Sequence, residues 1–217
     1  MKPRGPYDGE RLESMKLYDG GRAPNPRRVR IFFAEKGVPL PELIPVDITR
    51  KEHRTPEFTA INPSQRLPVL LLEDGTALAE TIAICRYVES LHPAPALFGA
   101  APKEAALIEM WNRRIELGLF SAVSAVFRHG HPAMAELEDQ VPEWAEASRE
   151  QIDDHLMLLD LQLGANRFVC GDDLTVADIT AGIAIDFMKP SRIPLPEDFT
   201  NIRRWHGEVS ARPSWKA

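Results

Sequence analysis

The stretch LPVLLLEDGTALAETIAICRYVESL, Leu67 to Leu91, decides how the first half of the chain folds. Val69 to Leu72 is an unbroken apolar run of strand length, followed by the turn signal Asp74-Gly75. The chain then returns as a second strand, so Leu67 to Glu80 reads as a β-hairpin. From Thr81 the spacing of apolar residues changes to that of a helix, and TIAICRYVESL carries Cys85 in its apolar stripe.

Working upstream, KLYD (Lys16 to Asp19) reads as a short strand. NPRRVRIFFAEKG reads as a helix, with Asn25 as cap, Pro26 at the first position and Gly37 as the stop. Val29, Phe32 and Phe33 form its buried stripe. ELIPVDI (Glu42 to Ile48) is a second strand whose Pro45 marks an edge or a bulge. TPEFTAIN (Thr55 to Asn62) is a short helical or turn segment, so the order is βαβ and then ββα.

Downstream, strand signals vanish. His92 to Pro102 is a Pro/Ala linker. Ile108, Trp111, Ile115, Leu119, Ala122 and Val126 mark one face of a long helix. A second helix is predicted from Pro142 to Asn166, ending near Gly164, and a third and very apolar one from Thr175 to Met188. Asn201 to Trp215 closes the pattern. The expected division is a flexible arm over residues 1–14, an α/β domain over 15–92, a linker over 93–102 and an all-α domain over 103–217.

Bulk properties narrow the function. A chain of 217 residues, 44% hydrophobic, can bury a core for one domain or two small ones. A net charge of −6 with no basic block argues against nucleic acid; RKEHR (Arg50 to Arg54) is too short for a phosphate track. No apolar run approaches the roughly 20 residues of a membrane span, and none near the start resembles a signal peptide. Two distant cysteines, Cys85 and Cys170, fit a reducing cytoplasm better than a disulfide scaffold. The six histidines show no metal-ligand spacing, so no metal is expected.

Five segments then follow in order: RRVRIFFAEKGV, INPSQRLPVLLLEDG, LAETIAICRYV, FVCGDDLTVADI and RRWHGEVSARPSW. Together they resemble the cytosolic glutathione transferase family over Met15 to Trp215. The resemblance implies an N-terminal thioredoxin-like βαβ-ββα domain that binds glutathione as cosubstrate. It also implies an all-helical domain that receives a small hydrophobic electrophile or a disulfide. A homodimer is implied as well, for which the helix from Thr81 and the first long helix are the expected interface.

Glutathione carries carboxylates at both ends and a thiol between them. Thr81, where a strand meets a helix, offers a hydroxyl, an N–H and a positive helix end to a carboxylate, and Glu80 beside it suits an ammonium. The family uses this pair for the γ-glutamyl end; the plainer reading of Thr81 is a helix cap. The resemblance makes Pro68 cis, so that Leu67 presents its backbone to the cysteine of the peptide. Arg54 and Arg66 are candidates for the glycine carboxylate, with Lys51 and His53 as close substitutes.

The sulfur poses the open question. Serine- and cysteine-type members place the activating residue just before the first helix, and that position is Ala23, which has no donor. Tyr18 lies near the place used by tyrosine-type members, one residue off. APNPRRV resembles the turn of nu-class members, where an asparagine approaches the sulfur and disulfide reduction is the characteristic activity. Asn25 reads either as a plain helix cap, its oxygen serving only the helix, or as a cap whose NH2 also donates to a thiolate, alongside backbone amides of the helix start. Phe120 and Ser124 are the expected lining of the second-substrate pocket. Thr175 to Asp178 has the form of a capping box, and its role is structural. Cys85, in the apolar stripe of a helix, reads as an inert core thiol, and Cys170 shows no activating cation in the sequence. Conjugation to an electrophile, disulfide reduction and non-catalytic binding on the same fold stay open as readings, the last kept alive by Ala23.

Overall fold

The computed structural model describes residues 14–217, so the arm expected over residues 1–14 lies outside it except for Ser14. The chain divides into two compact units, one running to Ala96 and the other spanning Leu97–Trp215. In the first, β1 (Lys16–Asp19), β2 (Glu42–Pro45), β3 (Val69–Leu71) and β4 (Ala77–Ala79) form one sheet in the order β2-β1-β3-β4. β1 runs parallel to β2 and antiparallel to β3, with Tyr18 opposite Val69; β3 runs antiparallel to β4, with Val69 opposite Ala79. The hairpin turns through Gly75, whose N–H bonds the Leu72 carbonyl at 3.0 Å and whose φ of +83° favours glycine. β2 is an edge strand and stops at Pro45 rather than reaching Ile48. Beyond it Asp47 turns the chain, its Oδ1 accepting from the Thr49 N–H at 2.8 Å and the Thr49 hydroxyl at 2.6 Å.

Helix α1 (Pro24–Glu35) starts earlier than the sequence suggested. Ala23 is the capping position, in extended conformation, and its carbonyl accepts from Arg27 N–H at 3.3 Å; Asn25 therefore lies inside the first turn and is not the cap. The reason is Pro24, whose fixed φ suits the first helical position at least as well as Pro26 does. Gly37, at φ +64°, ends the helix, with the Val38 N–H reaching back to the Phe33 carbonyl at 3.0 Å. Val29, Ile31, Phe32 and Phe33 are fully buried. α2 (Pro56–Ile61) is capped by the Thr55 hydroxyl, and α3 (Thr81–Leu91) follows β4 directly. The buried Lys36 ammonium bonds Glu89 of α3 at 2.7 Å and the Pro95 carbonyl, fastening the end of α1 to α3.

The second unit is helical: α4 (Pro102–Arg114), α5 (Ser121–Gly130), α6 (Pro142–Glu150), α7 (Ile152–Ala165), α8 (Val176–Met188) and α9 (Thr200–Ser210). A wide π-helical turn, Ile115–Phe120, joins α4 to α5, and all six residues of the predicted stripe from Ile108 to Val126 are buried. The single helix expected over Pro142–Asn166 is two, broken at Gln151, where the N–H turns to the Ser148 carbonyl in a tighter bond.

Eleven of the thirteen α8 residues are buried, so this helix is the core of the unit. Asp178, with no exposed surface, accepts from Val169 N–H (2.8 Å), Thr175 N–H and hydroxyl (both 2.9 Å) and Trp205 Nε1–H (2.9 Å). One carboxylate thus joins the start of α8, the loop before it and α9. Burial pushes its pKa above the ordinary carboxylate value, against the pull of these donors. Further along α8, the Trp215 ring lies on Gly182, where a Cβ would come within 2.5 Å, and its N–H reaches Asp186 at 3.0 Å.

Replacing Asp178 by Ala strands several buried donors at once. Urea denaturation of Asp178→Ala is expected to show a loss of about 3–5 kcal/mol, a deficit that Thr175→Ala, which leaves the other donors paired, does not reach.

Candidate glutathione site

The strand registers bring the candidate residues to one end of the sheet. β1 and β2 leave at that end, β3 enters there just after Pro68, and β4 leaves there into Glu80-Thr81. The start of α1, the segment 46–55 with Lys51, His53 and Arg54, the Arg66-Leu67-Pro68 loop and the start of α3 are therefore neighbours by topology. Gly20 brings two of them closer still: a Cβ there would lie 2.9 Å from Ile48 Cδ1 and 3.2 Å from Leu67 Cδ1. The turn between β1 and α1 is held by Arg30, which bonds Asp19 at 2.5 Å and the Gly21 carbonyl at 3.0 Å.

The two helix starts at this end differ in what they offer. α3 opens with Thr81, Ile82 and Ala83, all of which carry an N–H, so three amides point out of its first turn. Thr81 is buried, and Glu80 before it holds a φ of +71°, a costly conformation for a residue other than glycine. α1 opens with Pro24, Asn25 and Pro26. Two of these three have no N–H, so the backbone amides expected at this helix start shrink to one, that of Asn25. The Asn25 side-chain oxygen accepts from Arg28 Nη1 at 3.0 Å, in place of the capping bond expected of it.

The remaining residues take distinct places. The Leu67–Pro68 peptide is cis, as is Ala94–Pro95. Asn62 braces the loop before Pro68, its Nδ2 donating to the Arg66 carbonyl at 2.9 Å. The Arg54 and Arg66 side chains are exposed, and so is Lys51, whereas His53 is buried. Tyr18 packs edge-on against Phe58, 5.8 Å between ring centroids, in a cluster with Val46 and Val69. Strand alternation turns its ring to the α2 side and sets it in hydrophobic packing.

In the helical unit, Ser121, Ser124, Arg128, Trp144 and Gln151 line a cavity of about 360 Å³. Phe120 does not line it. That ring is buried and stands 6.4 Å from the Phe187 ring. Thr175 and Asp178 form the capping pair described above. Cys85 is buried, and Cys170 has its pKa pushed up to about 12 by burial and by the charge of Asp178. No group of three His, Cys, Asp or Glu side chains among the described residues gathers as a metal site, and no described helix is long and apolar enough to cross a membrane.

A mixed four-stranded sheet with this helix arrangement, followed by a helical unit, is the architecture of the glutathione S-transferases. Residues 23–91 match the glutathione S-transferase N-terminal domain and residues 142–208 the C-terminal domain. The chain is 36% identical to "Glutathione S-transferase 2" of Saccharomyces cerevisiae, over 96% of its own length and 91% of that protein's. Among solved structures, a glutathione S-transferase domain-containing protein of Marinobacter aquaeolei superposes with a TM-score of 0.89 at 41% identity, covering 92% of this chain and 98% of that one. Gtt2 of Saccharomyces cerevisiae superposes with a TM-score of 0.87 at 36% identity, covering 93% and 98% respectively. The chain belongs to the glutathione S-transferase family.

The raised pKa of Cys170 and the burial of Cys85 leave almost no accessible thiolate. At pH 8 neither cysteine of the native protein is expected to react with a disulfide reagent on the timescale in which both react in denaturant; rapid native labelling of Cys170 would show an activated thiol.

Proposed function

We propose that the chain is a glutathione transferase that binds glutathione at the end of the sheet where α1 and α3 begin. It holds the sulfur as a thiolate and lets it attack a small electrophile. The observation that carries this reading is the contrast between the two helix starts. The three amides of α3, with the Thr81 hydroxyl, suit the carboxylate of the γ-glutamyl end, and Glu80 suits its ammonium. The Leu67 backbone pairs with the cysteine of the peptide, and Arg54 or Arg66 meets the glycine carboxylate.

At α1 the prolines leave the Asn25 N–H as the one backbone amide among the three opening residues, and the Asn25 side-chain NH2 stands as a second donor beside it. In the reaction, the thiolate forms a bond to the electrophilic carbon as the leaving group departs with its electron pair, and Asn25 stabilises the thiolate beforehand. The cavity lined by Ser124 is the candidate for holding the second substrate. Two copies of the chain associate through α3 and the long helical run that begins with α4. That run leaves Leu107, Met110 and Leu117 in solvent, which supports the pairing.

Ultraviolet difference titration of bound glutathione tests the reading. The bound thiol is expected to ionise below the ordinary value of about 8.5, and Asn25→Ala to raise that midpoint by about one pH unit. Thr81→Ala is expected to weaken glutathione binding about tenfold with the midpoint unchanged. A thiol that binds without ionising would make the protein a binder and no enzyme. Turnover of an aryl halide, against that of a small disulfide, separates conjugation from disulfide reduction. Light scattering at micromolar concentration is expected to give twice the chain mass; a monomer contradicts the pairing.

A further inference from the structure

Arg28 lies one helical turn past Asn25 and is 2% exposed, an unusual place for a guanidinium on the first helix of a small sheet domain. Its Nη1 donates to Asn25 Oδ1 at 3.0 Å. An arginine only donates hydrogen bonds, so whichever end of the Asn25 amide faces it must be the oxygen. The contact therefore fixes more than a rotamer. It decides that the amide oxygen points at the cation and that the NH2 group is the end left to meet a ligand. With no arginine there, the amide is free to turn its oxygen outward and present an acceptor to an anionic sulfur, a repulsive arrangement.

We infer that Arg28 is a positioning residue for the sulfur: by holding Asn25 Oδ1 it keeps the Asn25 NH2 group facing the thiolate of glutathione. The inference rests on the proposed contact between Asn25 and the sulfur and deepens it. Arg28 itself touches no substrate atom in this scheme. Its effect on thiol ionisation passes through Asn25, and glutathione affinity, set by the groups around the carboxylates, does not depend on it.

The test is a double-mutant cycle read by the same ultraviolet titration on the full chain, with a thermal melt for each variant. Arg28→Lys keeps the charge but not the planar fork, and Arg28→Met removes both. In the wild-type background each is expected to raise the midpoint of the bound thiol, Arg28→Met by about one pH unit, with the glutathione Kd changed less than about twofold. In the Asn25→Ala background neither is expected to raise it further. Asn25→Asp serves as the variant that leaves Arg28 intact: its carboxylate stays bonded to the guanidinium, so the melt is expected to match wild type, yet with no outward donor its midpoint rises at least as far as that of Asn25→Ala. Equal shifts from Arg28 substitution in both backgrounds would show a direct effect of the charge and overturn the inference while leaving the role of Asn25 standing. A wild-type midpoint in Asn25→Asp overturns it as well, and a wild-type midpoint in Asn25→Ala removes the underlying contact and this inference together.

Discussion

The register of three strands is the constraint on which the rest of the first unit depends. Tyr18 faces Val69 and Val69 faces Ala79, so the end of β1, the start of β3 and the end of β4 are level with one another. β2, parallel to β1, delivers the segment 46–55 to the same end. A slip of one residue in this ladder would reverse which face each side chain meets, sending Tyr18 away from Phe58 and the buried Leu17 to the opposite side. The hydrophobic pattern resists that slip, because Leu17 and Leu70 are fully buried and stand opposite each other. Packing thus holds together a set of loops whose own residues are mostly polar and exposed.

A second constraint acts locally. In the first turn of α1, proline geometry wins over side-chain preference: Pro24 takes the first helical position, and asparagine, a favoured cap, is drawn one step inside. The displaced side chain finds Arg28, and of the three opening residues only Asn25 keeps a backbone N–H. At α3 the opposite happens. No proline intervenes, the amides of the first turn remain, and Glu80 just before them holds a strained backbone. The same structural element, a helix start, has become two different chemical surfaces a short distance apart in one fold.

Much of this was legible in the sequence, and the failures have physical causes. The hairpin, the bounds of α3 and the stripe from Ile108 to Val126 follow from periodicity, which reports burial directly. The onset of α1 is ambiguous in the sequence, because PNP contains two prolines that each satisfy the first helical position. The break at Gln151 left no mark, since apolar residues continue on both sides of it. The π-helical turn that ends at the buried Phe120 has no sign in the sequence, where the apolar spacing reads as one continuous helix. Nothing in the sequence marks Arg28 as buried; only the packing shows it, and only its bond to Asn25 shows which way an amide faces. Distances between groups remote in sequence are what a single chain does not encode in readable form.

The paired prolines of α1 also bear on time. Proline holds φ near its helical value at positions 24 and 26 before any ligand arrives, so the backbone around Asn25 has little freedom left to lose. Ordering that a flexible loop would undergo during capture has already taken place when the protein folds. A small molecule reaching this turn meets a backbone whose φ at positions 24 and 26 is already set.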